Sequence, residues 1–81
     1  MMCKKGYNSN IFIQIGASGI PFPIEYKSIN PILEIKLRIE NYTQIPSKSQ
    51  KLYFNGTLLD DNANPSDYKI TNSSIIQLEI D

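Results

Sequence analysis

The side chains that carry most enzyme chemistry are scarce in this sequence. There is no histidine, and the only cysteine, Cys3, lies near the start of the chain. No serine or threonine stands beside a plausible base, so catalytic triads and histidine-rich metal sites are excluded. The adjacent Asp60 and Asp61 fit a capped turn and an ion pair better than a catalytic pair of carboxylates. We therefore expect a protein that is not an enzyme and needs no metal.

Glycine is likewise not placed as a phosphate-binding loop requires. Gly16 and Gly19 flank a chain reversal that precedes a predicted strand, whereas phosphate loops lead into a helix N-terminus. The sequence therefore gives no reason to expect a nucleotide or any other cofactor.

Charge and hydropathy narrow the class of partner. The 81 residues contain eight basic and eight acidic side chains, so no long-range field attracts nucleic acid or an anionic membrane. No apolar run approaches the ~20 residues that span a bilayer, and the start lacks the apolar core of a signal peptide. The single cysteine fits a reducing compartment. We expect a monomer in the cytoplasm or nucleus whose partners are proteins.

The strongest local signal is a hairpin around Asn55-Gly56. It predicts a strand over residues 51–54, a two-residue turn and a short strand over residues 57–59, since a type I′ turn needs φ > 0 at both central residues. Side chains alternate along a strand, so Tyr53 lies on the opposite face from Leu52. Tyr53 is either an anchor for a partner or an exposed aromatic that packs on its neighbours.

Residues 1–26 divide into a leader and two strands. Residues 1–10 show no periodicity and are expected to form a flexible leader. Alternation predicts a strand over residues 11–15 and, after the reversal, a second over residues 20–26. Pro21 and Pro23 cannot donate to a ladder, so the second strand should lie at a sheet edge.

Asn30-Pro31 predicts the start of the main helix, with Asn30 as N-cap and the helix running over residues 31–42. Leu33 and Leu37 form a side stripe that either packs against loops or contacts a partner. The stripe expected to face the core consists of Ile32, Ile35 and Ile39.

The remaining chain predicts one short helical turn, beginning at Pro65, and a last strand over residues 75–80. That strand should bury Ile76, Leu78 and Ile80 and present Gln77 and Glu79. The first and last strands are the most apolar and therefore the natural central pair. The whole pattern is α+β, with one helix covering one face of a mixed sheet.

Several short motifs follow one another in a specific order: Ile45-Pro46, Gln50-Lys51-Leu52-Tyr53-Phe54-Asn55-Gly56, Leu59-Asp60-Asp61, Ser66-Asp67-Tyr68-Lys69-Ile70 and Ile76-Gln77-Leu78. Together with the order of elements, they resemble ubiquitin and the ubiquitin-like domains over residues 11–81. The resemblance implies a β-grasp fold: a mixed five-stranded sheet, one main helix and one short helical turn. It also implies that Tyr68 meets the backbone near Asp60 and that a partly buried Lys36 pairs with Asp61. The helical wheel agrees, since it places Lys36 beside the apolar stripe, where an ammonium needs a partner.

Ubiquitin acts through a Gly-Gly tail that is conjugated and through an apolar surface patch that receptors bind. The chain stops at Asp81 before such a tail, so we expect a non-conjugating type. Tyr53 matches the central isoleucine of the patch, Gln77 its histidine and Glu79 its valine, while Gly16 or Ala17 matches its turn leucine. The resemblance therefore implies weaker or differently selective binding. The expected partner-binding residues are Tyr53, Lys51, Ala17, Gly56, Gln77 and Glu79.

We interpret the chain as an interaction domain of a larger adaptor that docks onto receptors of the ubiquitin–proteasome system. Two alternatives stay open: a scaffold domain of a nuclear splicing-factor subunit, whose Gln-Lys-Leu strand looks similar, and a modifier cut before its Gly-Gly tail.

Overall fold

A computed structural model of the chain describes residues 9–16 and 19–81. It contains five strands, one α-helix and two short 3₁₀ turns among these residues. In chain order these are β1 (Ser9–Ile15), β2 (Phe22–Tyr26), α1 (Ile32–Thr43), a 3₁₀ turn (Ser47–Ser49), β3 (Gln50–Phe54), β4 (Thr57–Leu58), a 3₁₀ turn (Pro65–Tyr68) and β5 (Ile75–Ile80). The predicted α+β architecture is confirmed, with one additional 3₁₀ turn ahead of β3.

The strands form one mixed sheet in the order β2-β1-β5-β3-β4. β1 and β5 run parallel, and the other neighbouring pairs are antiparallel. The prediction that the first and last strands are central partners is confirmed, as is the position of β2 at an edge. Pro23 is tolerated in β2 because an edge strand needs donors on only one side.

The helix packs across one face of the sheet and closes the core. The predicted stripe of Ile32, Ile35 and Ile39 is buried there. Ile80 contradicts its prediction: it is 54% exposed, because it lies opposite Gln50 at the end of β5, past the last core position, Leu78. The fully buried side chains of the core are Ile11, Ile13, Ile32, Ile35, Ile39, Leu52, Ile76, Leu78 and Pro65.

The helix begins one residue later than predicted and is capped differently. Among the described residues, no side chain bonds to its first N–H groups, so the prediction of Asn30 as N-cap is wrong. Backbone carbonyls of a loop that is distant in sequence cap the helix instead. Ile32 N–H donates to Ala63 O (2.8 Å), and Leu33 N–H donates to Asp61 O (3.1 Å). These bonds satisfy donors that a helix leaves unpaired at its start.

The side stripe of the helix is covered only in part. Leu33 is 39% exposed and Leu37 is 44% exposed, so loops do not bury either side chain. A partner at this edge stays a prediction.

The N-terminal boundary also differs from the expected one. β1 begins at Ser9, which pairs with Tyr26, so residues 9 and 10 of the expected leader lie in a strand. The rest of that leader falls outside the described residues. No helix in the described part of the chain is long and apolar enough to cross a membrane.

Two contacts implied by the resemblance are present. Asp60 N–H donates to the Tyr68 hydroxyl at 2.9 Å. Lys36 Nζ lies 2.5 Å from Asp61 Oδ1, and only 9% of the lysine side chain is exposed. Asp61 thus holds the helix start through its carbonyl and the middle of the helix through its carboxylate.

Candidate protein-binding face

The face of the sheet opposite α1 is built from the alternate residues that do not enter the core. Tyr53 stands opposite Gln77 on β5 and opposite Leu58 on β4. Tyr53 is half-buried, Gln77 is exposed, and Leu58 is 54% exposed. Directly opposite residues on antiparallel strands have side chains in contact range, so Tyr53 lies at the centre of a row. We call this face, defined by Lys51, Tyr53, Leu58, Gln77 and Glu79, the outer face.

Lys51 and Glu79 continue the outer face towards the chain end. They pair directly across β3 and β5, and Lys51 Nζ lies 3.7 Å from Asp81 Oδ1. Both partners in that ion pair are well exposed, which makes it worth little for stability. These side chains are therefore free to exchange their present contacts for contacts with a partner.

One predicted residue lies beyond this row. Gly56 lies in the hairpin turn beyond the strands, exposed and with φ 82°. Ala17 lies outside the described residues. The structure thus brings Tyr53, Lys51, Gln77 and Glu79 onto one surface, with Gly56 at its border.

A chain of amide side chains links the outer face to the first reversal. Gln77 Nε2 donates to Gln14 Oε1 (3.2 Å), and Gln14 Nε2 donates to Gly19 O (3.0 Å). Gln77 is thereby oriented by β1, and its amide is not simply solvated.

Sequence reasoning missed Leu58 as a member of this face. The signal was available, since a two-residue Asn-Gly turn pairs Phe54 with Thr57 and hence Tyr53 with Leu58.

A second apolar group lies on the same face of the sheet, around Phe12. The register aligns Phe12 with Ile75 on one side and with Pro23 on the other. These three apolar residues form a second group, separated from Tyr53 by the glutamine chain.

Core packing and backbone hydrogen bonds fix the position of the hairpin that carries Tyr53. Leu52, on the inner side, is fully buried, and its carbonyl accepts a 2.8 Å bond from Leu59 N–H. Asn55 and Gly56 both have positive φ, at 53° and 82°, as the predicted turn requires. The outer face is therefore presented by a backbone that the core fixes in place.

The ionisable side chains of the outer face do not form a metal site. Among residues 9–16 and 19–81, no group of three or more His, Cys, Asp or Glu side chains could hold a metal ion. Burial raises the pKa of Tyr26, but that side chain lies in the core, with its hydroxyl 3.4 Å from Ile70 O. What the outer face offers is an aromatic centre, an aliphatic neighbour and a rim of amide and charged groups.

Comparison with models of known protein families matches residues 11–81 to the model described as the ubiquitin family. The matched range includes the helix, β2 to β5, most of β1, and every residue of the outer face.

Proposed function

The chain belongs to the ubiquitin family, and from this premise we propose that it is a non-catalytic interaction domain that docks onto ubiquitin–proteasome receptors. We place it within a larger adaptor. The observation that carries the proposal is the Tyr53–Leu58 pair on the sheet face away from the helix, in which Tyr53 is half-buried and Leu58 is 54% exposed.

Physical properties of Tyr53 support its role as the anchor. Tyrosine is among the residue types that dominate binding energy, because its ring offers a large contact area and its hydroxyl a hydrogen bond. Its half-buried ring already sits on a fixed strand, so little side-chain entropy remains to be lost on binding. Leu58 extends the apolar contact by an aliphatic side chain that is 54% exposed.

The surroundings of Tyr53 support a polar rim. Lys51, Gln77 and Glu79 are exposed around it, and rims of protein interfaces are polar and remain partly wet. By the resemblance, ubiquitin has aliphatic side chains where this chain has Glu79 and either Gly16 or Ala17. We therefore propose that affinity for a given receptor is lower than that of ubiquitin, or that a different receptor is preferred.

The balanced charge of the chain supports proteins as partners over nucleic acids or membranes. We further propose that the domain works as a monomer in the cytoplasm or nucleus without a cofactor.

The decisive experiment measures binding of the full chain to a purified ubiquitin-binding receptor subunit of the proteasome. Tyr53→Ala should lower the affinity about tenfold or more, as expected for a hot-spot residue, and Leu58→Ala should cause a smaller loss. Ile29→Ala, an exposed aliphatic residue in the loop between β2 and α1, is the matched control and should bind as the parent does. Circular dichroism should show the fold retained in all variants. Parent-like affinity of a folded Tyr53→Ala variant would remove the assignment.

The two alternatives have different outcomes in simple experiments. Retrieval of spliceosomal and not proteasomal proteins from native extract, lost with Tyr53→Ala, would favour a splicing-factor scaffold. A Gly-Gly encoded shortly after Asp81 would favour a modifier.

A further inference from the structure

The Asn55-Gly56 turn between β3 and β4 exposes two groups that can react with each other. Asparagine is one of the thermolabile residue types, because its side-chain carbonyl carbon can be attacked by the backbone nitrogen of the next residue. Both turn residues are exposed, and a Cβ built on Gly56 would meet nothing within 4 Å. Neither the Asn55 carboxamide nor the Gly56 N–H has a hydrogen-bond partner among the described residues. Both reacting groups are therefore unshielded.

Two other exposed asparagines, Asn62 and Asn72, lack this combination. Asn62 precedes an alanine whose N–H donates to Asp60 O at 3.0 Å. Asn72 precedes a serine whose N–H donates to Asn10 O at 2.7 Å. In both cases the following residue carries a Cβ and its N–H is engaged, whereas Gly56 has neither obstacle.

The closed turn does not by itself allow the reaction. A ring that joins the Asn55 side chain to the Gly56 nitrogen requires rotation about the Cα–C bond of Asn55, away from the ψ value of a type I′ turn. This rotation needs local opening of β4, an edge strand of two residues whose side chains are both exposed. Elements with few buried contacts open at a low cost in free energy. The hairpin can thus reach the reactive conformation while the rest of the domain stays folded.

From these observations we propose that Asn55 is a site of spontaneous deamidation. The Gly56 nitrogen attacks Cγ of Asn55, an N–Cγ bond forms, the Cγ–Nδ2 bond breaks, and ammonia leaves with the proton of the Gly56 amide. Water then adds to either carbonyl of the resulting imide and breaks one of its two ring C–N bonds. Cleavage at Cγ gives aspartate with the original backbone. Cleavage at the backbone carbonyl carbon gives isoaspartate, whose backbone passes through the side chain.

The isoaspartate product changes the hairpin that carries Tyr53. Its backbone contains one additional carbon, whereas the pairing of Tyr53 with Leu58 depends on a turn of two residues. Leu58 then loses its place opposite Tyr53, and a carboxylate is added at the border of the outer face. The resulting loss of receptor binding rests on the proposed function, whereas the modification itself does not.

The experiment incubates the full chain at neutral pH and follows each asparagine by peptide mass mapping. Asn55 should be modified at least about tenfold faster than Asn62 and Asn72, because a following Cβ hinders attack at both of these positions. In urea, where the hairpin is fully open, Asn55 should react faster than in the folded chain. The ratio of the two rates should match the opening that hydrogen exchange measures at the Leu59 amide, which donates to Leu52 O in the intact hairpin.

Two substitutions separate the chemistry from its structural effect. Asn55→Gly removes the carboxamide and keeps the turn, so this hairpin should stay unmodified. Asn55→Asp adds the charge without lengthening the backbone, and its Leu59 amide should stay as protected as in the parent. The isoaspartate form, separated by anion exchange, should lose that protection and bind the proteasomal receptor subunit about tenfold more weakly.

Modification of Asn55 no faster than that of Asn62 and Asn72 would overturn the inference. An unmodified Asn55 in a folded chain whose Leu59 amide exchanges readily would do the same. An isoaspartate form with a fully protected Leu59 amide would contradict the structural effect. Loss of that protection with receptor binding unchanged would instead count against the proposed function.

Discussion

At the scale of single residues, two buried polar side chains fasten the helix to the rest of the molecule. Lys36 is 7% exposed and pairs with Asp61. Gln50 is 2% exposed, and its Nε2 donates to Lys36 O and Ile45 O, each at 3.0 Å. The middle of α1 and the loop after it are thus tied to the first residue of β3, at a place where no apolar contact could satisfy those carbonyls.

The Lys36–Asp61 pair gives a first prediction. Asp61→Asn should destabilise the fold by about 1–3 kcal/mol, because it leaves a buried ammonium without its carboxylate. Lys36→Met should cost less, since it removes the charge and keeps an apolar chain of similar length. Urea unfolding of both variants measures the difference. A larger loss for Lys36→Met would mean that packing of the lysine stem, and not the charge, is what matters.

Burial of Tyr26 gives a prediction about pH. Burial raises the pKa of Tyr26 above the ordinary value of a tyrosine, so the folded state holds the phenolic proton more tightly than the unfolded state. This contribution to stability is fully present below pH ~10 and declines as the pH rises above it. Tyr26→Phe should therefore show a flatter loss of stability above pH ~10, measured by urea unfolding at several pH values.

The control for Tyr26→Phe is the same pair of proteins at pH 7. There they should differ only by one long hydrogen bond, which is worth about 1 kcal/mol or less. An equally steep alkaline loss in both proteins would show that Tyr26 does not cause it.

At the scale of elements, the β3–β4 hairpin contributes to the stability of the fold and also carries Tyr53 and Leu58 of the outer face. Its turn demands left-handed backbone at both Asn55 and Gly56, and a Cβ added at Gly56 would meet nothing within 4 Å. Any cost of substitution at Gly56 is therefore a backbone cost and not a clash.

Gly56→Ala should accordingly lower the free energy of unfolding by about 1 kcal/mol, a decrease in Tm of about 4–8 °C for a domain of this size. Asn55→Gly is the matched control, because glycine adopts the same φ without strain, and its Tm should change little. Differential scanning calorimetry measures both. An unchanged Tm for Gly56→Ala would indicate that the turn relaxes to another type.

At the scale of the whole molecule, the position of a strand in the sheet determines how well its backbone amides are protected from local opening. β5 is bonded on both sides, to β1 and β3, and its Ile76 and Leu78 are buried. β4 is a two-residue edge strand whose side chains are exposed. Local opening should thus be easiest at the edges and hardest at the centre.

Hydrogen exchange followed by NMR should reproduce this order. The amides of Ile76 and Leu78 should exchange slowest and report global unfolding. Those of β4 and of Glu25, which faces the open edge, should exchange fastest among strand residues. Protection of β4 equal to that of β5 would mean that the edges open only with the whole domain.

A feature of the fold or of the outer face could be predicted from the sequence when it depends only on residues close together in the chain. The Asn-Gly turn, the alternation that separates Tyr53 from Leu52, and the Ile32–Ile35–Ile39 stripe all follow from residue types at short spacing. Such patterns of period 2 and 3.6 are set by backbone geometry, so they can be seen without knowing what packs against them. The family resemblance depends on the same local motifs and their order.

Tertiary structure alone decided what depends on distant neighbours. The helix start is capped by Ala63 and Asp61 carbonyls, Ile80 lies outside the core, and Arg38 Nε is buried without an acceptor in the part of the chain that the structure describes. None of these has a local signature, because hydrogen-bond partners and burial are set by which segments the sheet order brings together. The alternation of side chains could be determined from the sequence, whereas the surroundings of each side chain required the fold.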